Sequence, residues 1–533
     1  MKFQSRLAAV GFAIVGAAVL AGYQTHAQSG PAAKLDFVIA GGEVDVIDPI
    51  QIKSFTAQTV DANLYGTMVE QVFAPAGNGY LAPTGKFRKG LANDYDVAAD
   101  GTITFKIGGN LTFSDGSALT ARDIVYSLRR TLTAPSYVRV SNSYFLRISD
   151  PGSQITALDE QTVQVKPNGP SPSVDRFFSL LTYSILSASA GEGNAGENGA
   201  ATKFFAAKAT PSGPFLLENW SGSESVTLVK NKRYLHADDV KADKITILNM
   251  PDESQRLLAL RNGDIDIALS MSPRVADTAS KDPSLVVYKT AGTNVYFLGL
   301  NPTVAPFDNK SVRLAIAQAV PYDLLMREVM FGQARAAYGP APYGMGGSLA
   351  PDANATQYKM NPEAARALLA EAGVSNLTVD LSISSSDQIA SASAVYIQYA
   401  LAKIGITVNI RALASADFQT KAGKHQLGMF ISSWSSWVQD PFFQMRATLV
   451  SGQPTNQIGF SNADFDKLVT TGTLETDEVK RLQLSKQAQQ IAIDEADFVG
   501  LFVANSLIVA RSDVGGVALG DDLVMRMKYL TRK

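Results

Sequence analysis

The sequence of 533 residues contains no cysteine. Without a thiol the chain can form neither a disulfide bond nor a thiolate metal site, and a cysteine nucleophile is excluded. The folded state must therefore be stable without disulfide bonds, which is plausible for a chain of this size. A chain of this length is too long for one compact core and predicts two or three lobes.

Histidine is almost as scarce. The three histidines, His26, His236 and His425, lie far apart in the sequence. The H-E-x-x-H zinc motif, the G-x-S-x-G nucleophile motif and the G-x-x-x-x-G-K-[ST] phosphate loop are all absent. We therefore expect no metal site and no cofactor, and we predict that the chain is not an enzyme. A carboxylate-dependent hydrolase stays open as an alternative, because Asp and Glu are plentiful.

A surplus of basic residues is also missing. The chain has 47 Lys and Arg against 49 Asp and Glu, which gives a formal net charge of −2. This balance disfavours a nucleic-acid partner. With 46% apolar and 18% charged residues, the composition is that of an ordinary globular protein.

The N-terminus has the pattern of a secretory signal peptide. Lys2 and Arg6 precede an apolar run over residues 7–22, and Ala27 offers a small residue for cleavage. The run is shorter than the roughly 18 to 20 residues that a membrane span needs. We therefore predict a signal peptide over residues 1–27 and export to the periplasm. The letters LAGY resemble a lipoprotein signal, but Tyr23 stands where the lipid-bearing cysteine would be, so no lipid anchor is expected.

Strand and helix patterns alternate along the chain. Capping residues and hydrophobic spacing predict helices over residues 252–263, 361–373 and 477–496. A strand pattern, DIDIAL, directly follows the first of these helices. Mixed elements of this kind favour an α/β fold.

Six segments together resemble the large substrate-binding proteins of bacterial ABC importers for peptides, nickel and opines. They follow one another in the order that the family shows. The segments are VIDPI (46–50), the strand-to-helix stretch 91–130, PSGPFLLENW with VTLVKNKRY (211–234), NVYFLGLNP to AIAQAV (294–320), MNPEAARALLAEAG (360–373) and W-x5-DP (434–441).

The resemblance implies a periplasmic binding protein with two hinged α/β lobes and an extra lobe inserted in the first. By analogy, lobe I comprises residues 34–68, 201–290 and 498–533. The extra lobe comprises 69–200, and lobe II, the second ligand-gripping lobe, comprises 291–497. Such a protein captures a ligand between its lobes and delivers it to the permease of an ABC transporter. It is expected to be a soluble monomer.

The stretch SSWSSWVQDP contains two of the three tryptophans, Trp434 and Trp437. In peptide-binding members of the family, an aspartate that anchors the peptide ammonium occupies the position where Trp437 stands here. We expect Trp437 to line the cleft, with Ser433 and Ser435 offering polar groups to a ligand. Asp440 either replaces the missing acid or caps a turn. Trp434 is either a cleft residue or a core residue.

On the facing lobe, the resemblance implies ligand contacts just after the Asp-Pro element, at Lys53, Ser54 and Phe55. Asn294 and Tyr296 are further candidates on a strand near the hinge. A lysine in the cleft and a missing acid opposite it favour a ligand richer in negative charge or hydroxyl groups than a plain peptide.

We therefore predict a receptor for a peptide-like or related small polar ligand. A non-peptide ligand, such as an opine, an oligosaccharide or a metal chelate, is the alternative within the family, and an exported hydrolase is the alternative outside it.

Overall fold

Two long antiparallel strands run side by side through the middle of the molecule, at Leu285–Leu300 and Phe498–Arg511. The second has the sequence FVGLFVANSLIVAR and is buried over most of its length, as a strand in the centre of a sheet must be. Their ladder is interrupted between Thr290 and Asn294. These two strands join the parts of the fold that surround the candidate site.

The structure, a computed structural model, describes residues 34–133, 146–196, 200–350, 358–436 and 438–533. The predicted signal peptide lies outside them. The strands are β1 Asp36–Gly41, β2 Val69–Pro75, β3 Tyr80–Lys89, β4 Ala92–Val97, β5 Ile103–Ile107, β6 Ile155–Asp159, β7 Thr162–Val165, β8 Phe215–Trp220, β9 Ser225–Lys230, β10 Lys244–Asn249, β11 Ile267–Ala268, β12 Leu285–Leu300, β13 Ala334–Ala336, β14 Leu377–Ser384, β15 Ile406–Leu413, β16 Met429–Ser435, β17 Phe498–Arg511, β18 Val514–Gly515, β19 Val517–Ala518 and β20 Thr531–Arg532.

Helices separate many of these strands. They are α1 Phe55–Leu64, α2 Ala121–Thr133, α3 Pro151–Gln154, α4 Val174–Phe178, α5 Ala188–Glu192, α6 Thr202–Ala207, α7 Glu253–Asn262, α8 Pro273–Ala279, α9 Lys310–Ala319, α10 Tyr322–Leu324, α11 Pro362–Glu371, α12 Gln388–Ala402, α13 Ser415–Gly423, α14 Pro441–Leu449, α15 Ala463–Leu474 and α16 Glu478–Glu495. Among the described helices, none has the length and apolar character that crossing a membrane requires.

The largest sheet has eleven strands in the order β15-β14-β16-β12-β17-β11-β1-β10-β9-β8, and β13 is paired to β17. It is a mixed sheet. β1 runs parallel to β10 and β11, and β14 runs parallel to β15 and β16, whereas the central pair β12 and β17 is antiparallel. A separate four-stranded sheet has the order β4-β5-β7-β6.

The three helices predicted from their caps are confirmed as α7, α11 and α16. The side chains of Asp252, Asn361 and Asp477 each accept a hydrogen bond from a backbone N–H of the first turn. α7 ends at Gly263, whose φ of 81° is a left-handed conformation that a side chain would strain.

Buried side chains form several hydrophobic cores along the chain. The first core lies around β1 and β8–β10 and includes Phe37, Phe215 and Ile508. The third core lies between α2 and the four-stranded sheet and includes Phe105 and Leu128. Val438 and Phe443 also belong to the third core, so the stretch after Trp434 packs against it.

Two further cores lie on opposite faces of β12 and β16. The second core includes Leu298 of β12 and Ile397 of α12. The fourth core includes Val295 of β12 and Phe442 of α14. Successive residues of β12 therefore alternate between the two cores, which is the period of two that a strand imposes.

Candidate ligand-binding site

A cavity of about 840 Å³ opens beside the central strand pair. It is lined from one side by α1, the start of α7 and the segment after β11, and from the other by β12, β16 and the start of α12. Leu269, Met271 and Met525 give it an apolar wall. Its volume is within the range typical of small-molecule sites, which is roughly 300 to 1,000 Å³.

The pairing of β12 with β16 places several polar side chains on one face of the sheet. Asn294 is paired with Ser435, and Tyr296 is paired with Ser433. Directly opposed residues of an antiparallel pair point to the same face, and so do residues two apart on one strand. These four predicted residues therefore share one face, and Asn294, Tyr296 and Ser435 line the cavity. Asn294 is also paired with Ala504 of β17.

Trp434 belongs to the opposite face. It is paired with Val295, and its ring packs against the fourth core. The indole Nε1 is buried and has no hydrogen-bond partner among the described residues. These contacts are those of the core alternative. Trp437 lies outside the described residues, so its predicted place in the cleft stays a prediction.

Asp440 makes the contacts of a helix cap. Oδ1 accepts hydrogen bonds from the backbone N–H groups of Phe442 at 2.9 Å and Phe443 at 3.2 Å. Oδ2 accepts from Arg481 at 2.5 Å and from Ser173 at 3.3 Å. The residue is 3% exposed and is not among the residues that line the cavity. Both oxygens are thus used inside the fold, as the capping alternative predicts.

The three residues predicted on the facing lobe, Lys53, Ser54 and Phe55, have different surroundings. Phe55 begins α1, is 46% exposed and lines the cavity. The Ser54 hydroxyl caps the same helix, accepting from the Ala57 N–H at 3.1 Å and donating to the Glu43 carbonyl at 2.8 Å. Lys53 is exposed and is not one of the lining residues. Of these three predictions, the structure brings only Phe55 to the cavity.

Sequence analysis missed the charged residues of the cavity. Asp252, Glu253 and Arg256 line it from α7, and Asp387 lines it from the start of α12. Asp387 caps α12 by accepting from the Ala390 N–H at 2.9 Å. The predicted helix over 252–263 covers Asp252, Glu253 and Arg256, but nothing in the sequence indicates that its beginning faces a cavity shared with the beginning of α12.

Tyr296 joins the polar wall to Asp387. Burial raises the pKa of the Tyr296 phenol, and the nearby Asp387 carboxylate raises it further. The phenol therefore stays neutral at physiological pH and can donate a hydrogen bond. The cavity thus offers hydroxyl, amide, carboxylate and guanidinium groups together with apolar side chains.

The family of the chain follows from its sequence. The model of the family described as "Bacterial extracellular solute-binding proteins, family 5 Middle" matches residues 86–456, well over half of the chain. The chain belongs to this family.

Characterised members of family 5 resemble the chain over most of its length. The di/tripeptide-binding protein 2 of Pseudomonas aeruginosa is 28% identical over 497 residues, which are 88% of this chain and 89% of that protein. The oligopeptide-binding protein OppA of Bacillus subtilis is 25% identical over 483 residues, covering 85% and 86% of the two chains.

Solved structures of family 5 have the same fold. The periplasmic binding protein DppA from Helicobacter pylori, in complex with the peptide STSA, matches with a TM-score of 0.76 and 25% sequence identity. The match covers 94% of this chain and 98% of that one. The predicted fold class, the multi-lobed α/β fold of a periplasmic binding protein, is confirmed.

Proposed function

We propose that this family 5 protein is an exported receptor that captures a peptide in the 840 Å³ cavity and delivers it to an ABC permease. The observation that carries the proposal is the polar wall formed by Asn294, Tyr296 and Ser435 in a cavity that apolar side chains also line. A peptide presents the same two characters, a hydrogen-bonding backbone and apolar side chains. The chain acts by binding, without turnover of its ligand.

The relatives support a peptide ligand over the alternatives. The di/tripeptide-binding and oligopeptide-binding proteins named above align with 88% and 85% of the chain. An opine, an oligosaccharide or a metal chelate, and likewise a hydrolytic activity, are not favoured by these relatives.

The proposed division into lobes follows the hydrophobic cores. Lobe I, residues 34–68, 201–290 and 498–533, contains nearly all of the first core. The extra lobe, 69–200, contains most of the third core, and lobe II, 291–497, contains most of the second. β12 then passes from lobe I into lobe II, and β17, assigned to lobe I, pairs with it along both parts, so we place the hinge of a monomeric receptor at this strand pair.

A hinge of this kind makes capture a shift in population. The open and closed forms exchange, and a ligand that contacts both lobes stabilises the closed form by its differential affinity. Micromolar binding corresponds to about −8 kcal/mol, which a few buried hydrogen bonds and an apolar wall can supply. The permease then needs to recognise the closed form alone. Such a receptor works in the periplasm, to which the predicted signal peptide would export it.

Calorimetric titration of the ligand-free protein tests the proposal. The protein without residues 1–27 is stripped of ligand by unfolding and refolding, then titrated with di- and tripeptide libraries, opines, oligosaccharides and metal chelates. We expect saturable binding of peptides. Asn294→Ala should weaken it by roughly 5- to 30-fold, because one buried hydrogen bond is lost.

The control variant is Asn409→Ala. Asn409 lies on β15, donates a hydrogen bond to Asp380 and does not line the cavity. This variant should bind peptides as the wild type does. Saturable binding of only a non-peptide class would replace the proposed ligand. Turnover of any ligand, followed by mass spectrometry, would contradict a pure binding role.

A further inference from the structure

Arg256 is a buried guanidinium beside the cavity. It lies on the second turn of α7, is 6% exposed and lines the cavity wall. Nη1 donates to the backbone carbonyls of Met250 at 2.6 Å and Pro251 at 3.2 Å. Nε is buried and has no hydrogen-bond partner in the described part of the chain. The Nε edge of the guanidinium is therefore left without an acceptor among the residues that the structure describes.

The acids closest in sequence are already bonded elsewhere. Asp252 Oδ1 accepts from the Gln255 N–H at 2.8 Å, and both Glu253 oxygens accept from Ser272 at 2.8 Å. Within the described residues no carboxylate forms an ion pair with Arg256. Burial accordingly lowers the pKa of the Arg256 guanidinium, although the two acids of α7 partly oppose this.

A buried cation without a counter-ion is unfavourable, because burial removes its hydration and nothing replaces it. Arginine is almost never fully buried unless it is paired. A guanidinium carries pairs of parallel N–H donors, which match the two oxygens of a carboxylate.

From this geometry we infer that Arg256 binds a carboxylate of the captured ligand. The inference rests on the proposed function, since it assigns the ligand to the same cavity. The carboxylate is either the C-terminus of a peptide or an acidic side chain. In both cases the ligand completes the ion pair that the protein alone leaves open.

A purely structural role would use Arg256 only to hold the Met250 and Pro251 carbonyls against α7. That role predicts no dependence on the charge of the ligand. The two roles are therefore separated by comparing ligands that differ in a carboxylate alone.

The test is a competition between two tripeptide libraries, one with free C-termini and one with C-terminal amides. The ligand-free protein is incubated with an equimolar mixture, and retained peptides are quantified by mass spectrometry. We expect the wild type to prefer the free acids by about 10- to 100-fold, the effect of a hydrogen bond to a charged group. If the acidic side chain is the ligand group, retained amides will instead be enriched in Asp and Glu.

Arg256→Gln should retain both libraries with less than a twofold preference. Arg261→Gln is the matched control, because Arg261 lies on the same helix, is paired with Asp282 and does not line the cavity; it should keep the preference of the wild type. Circular dichroism checks that both variants fold. Arg256→Lys, which keeps the charge, should recover part of the preference.

The possible failures are distinguishable. A wild type that retains acids and amides equally, without enrichment of Asp and Glu, overturns the inference and leaves the peptide receptor intact. A preference that survives in Arg256→Gln assigns the carboxylate to another group and also overturns it. A wild type that retains neither library contradicts the proposed function, and the inference with it.

Discussion

Asp48 and Arg130 form a two-pronged ion pair in the interior. Nη1 of Arg130 donates to Oδ1 of Asp48 at 2.8 Å, and Nη2 donates to Oδ2 at 2.6 Å. Both side chains are at most 2% exposed. The pair joins the VIDPI segment (46–50) to α2, which is 82 residues away in the sequence. It therefore holds a segment of the first core against a helix of the third core.

Removal of one partner of this pair should destabilise the protein strongly. Asp48→Asn leaves the buried guanidinium uncompensated, and we expect a loss of about 3 to 5 kcal/mol in the free energy of unfolding. Urea denaturation measures it. Lys281→Ala breaks an exposed pair with Asp277 and should cost less than about 0.5 kcal/mol. Equal losses in the two variants would contradict the importance of the buried pair.

Asp440→Asn should separate a capping role from a ligand-binding role. The amide oxygen can still accept from Phe442 and Phe443, but the charged bond to Arg481 is lost. We expect a destabilisation of about 1 to 3 kcal/mol. Peptide affinity, measured by calorimetry, should change by less than about twofold if the carboxylate does not touch the ligand. A large loss of affinity at unchanged stability would restore Asp440 to the ligand site.

Glu70 should make the stability depend on acidic pH. Its Oε2 accepts from Lys528 and from Arg88, each at 2.8 Å, and Tyr234 donates to Oε1. Burial alone would raise the pKa of Glu70, but the two cations and Tyr234 lower it from 4.5 to about 2. The folded state therefore binds this proton less tightly than the unfolded state, and stability falls as the pH falls from about 5 to about 2.

Glu70→Gln should remove this contribution. The fall in the pKa of Glu70 from 4.5 to about 2 corresponds to about 3 kcal/mol. Between pH 5 and pH 2, the free energy of unfolding of the variant should therefore fall by about 3 kcal/mol less than that of the wild type. Urea unfolding at a series of pH values gives the slope. The exposed Glu328 provides the control, since Glu328→Gln should keep the slope of the wild type. An unchanged slope in Glu70→Gln would contradict the prediction.

The two tryptophans of SSWSSWVQDP should respond differently to truncation. Trp434→Ala opens a void beside the fourth core, and we expect a loss of about 3 kcal/mol in stability with little change in peptide affinity. Trp437→Ala should weaken peptide binding by about 1 kcal/mol or more if that ring lines the cleft. Thermal unfolding and calorimetry of both variants decide between core and cleft for each ring.

Local patterns in the sequence predicted many of the secondary-structure elements. Capping residues such as Asp252 and Asn361 mark where helices begin, because an N-cap satisfies N–H groups within its own first turn. The α/β class followed from local patterns of this kind, and the family followed from the resemblance of six longer segments. The partner of Asp440 is 41 residues away, so no local pattern indicates that its carboxylate is used by Arg481.

The candidate site was harder to predict for the same reason. Asn294, Tyr296, Ser433 and Ser435 share a face because β12 and β16 pair in one register, and a shift by one residue would have brought Trp434 to the cavity instead. Arg256 and Asp387 stand near the beginnings of two helices that only the tertiary fold brings to a common cavity. Neither position belongs to a motif.

The pairing of Asn294 with Ala504 has a consequence for how the chain can be rearranged. The chain between these two residues leaves the rest of the protein and returns to it at adjacent positions of the sheet. The β12–β17 ladder holds the two ends of this segment together and so offsets part of the entropy cost of closing so large a loop. A segment with adjacent ends is suited to grafting, but Val438 and Phe443 pack into the third core and Asp440 bonds to Ser173, so an exchange of residues 294–504 between relatives has to preserve these contacts as well.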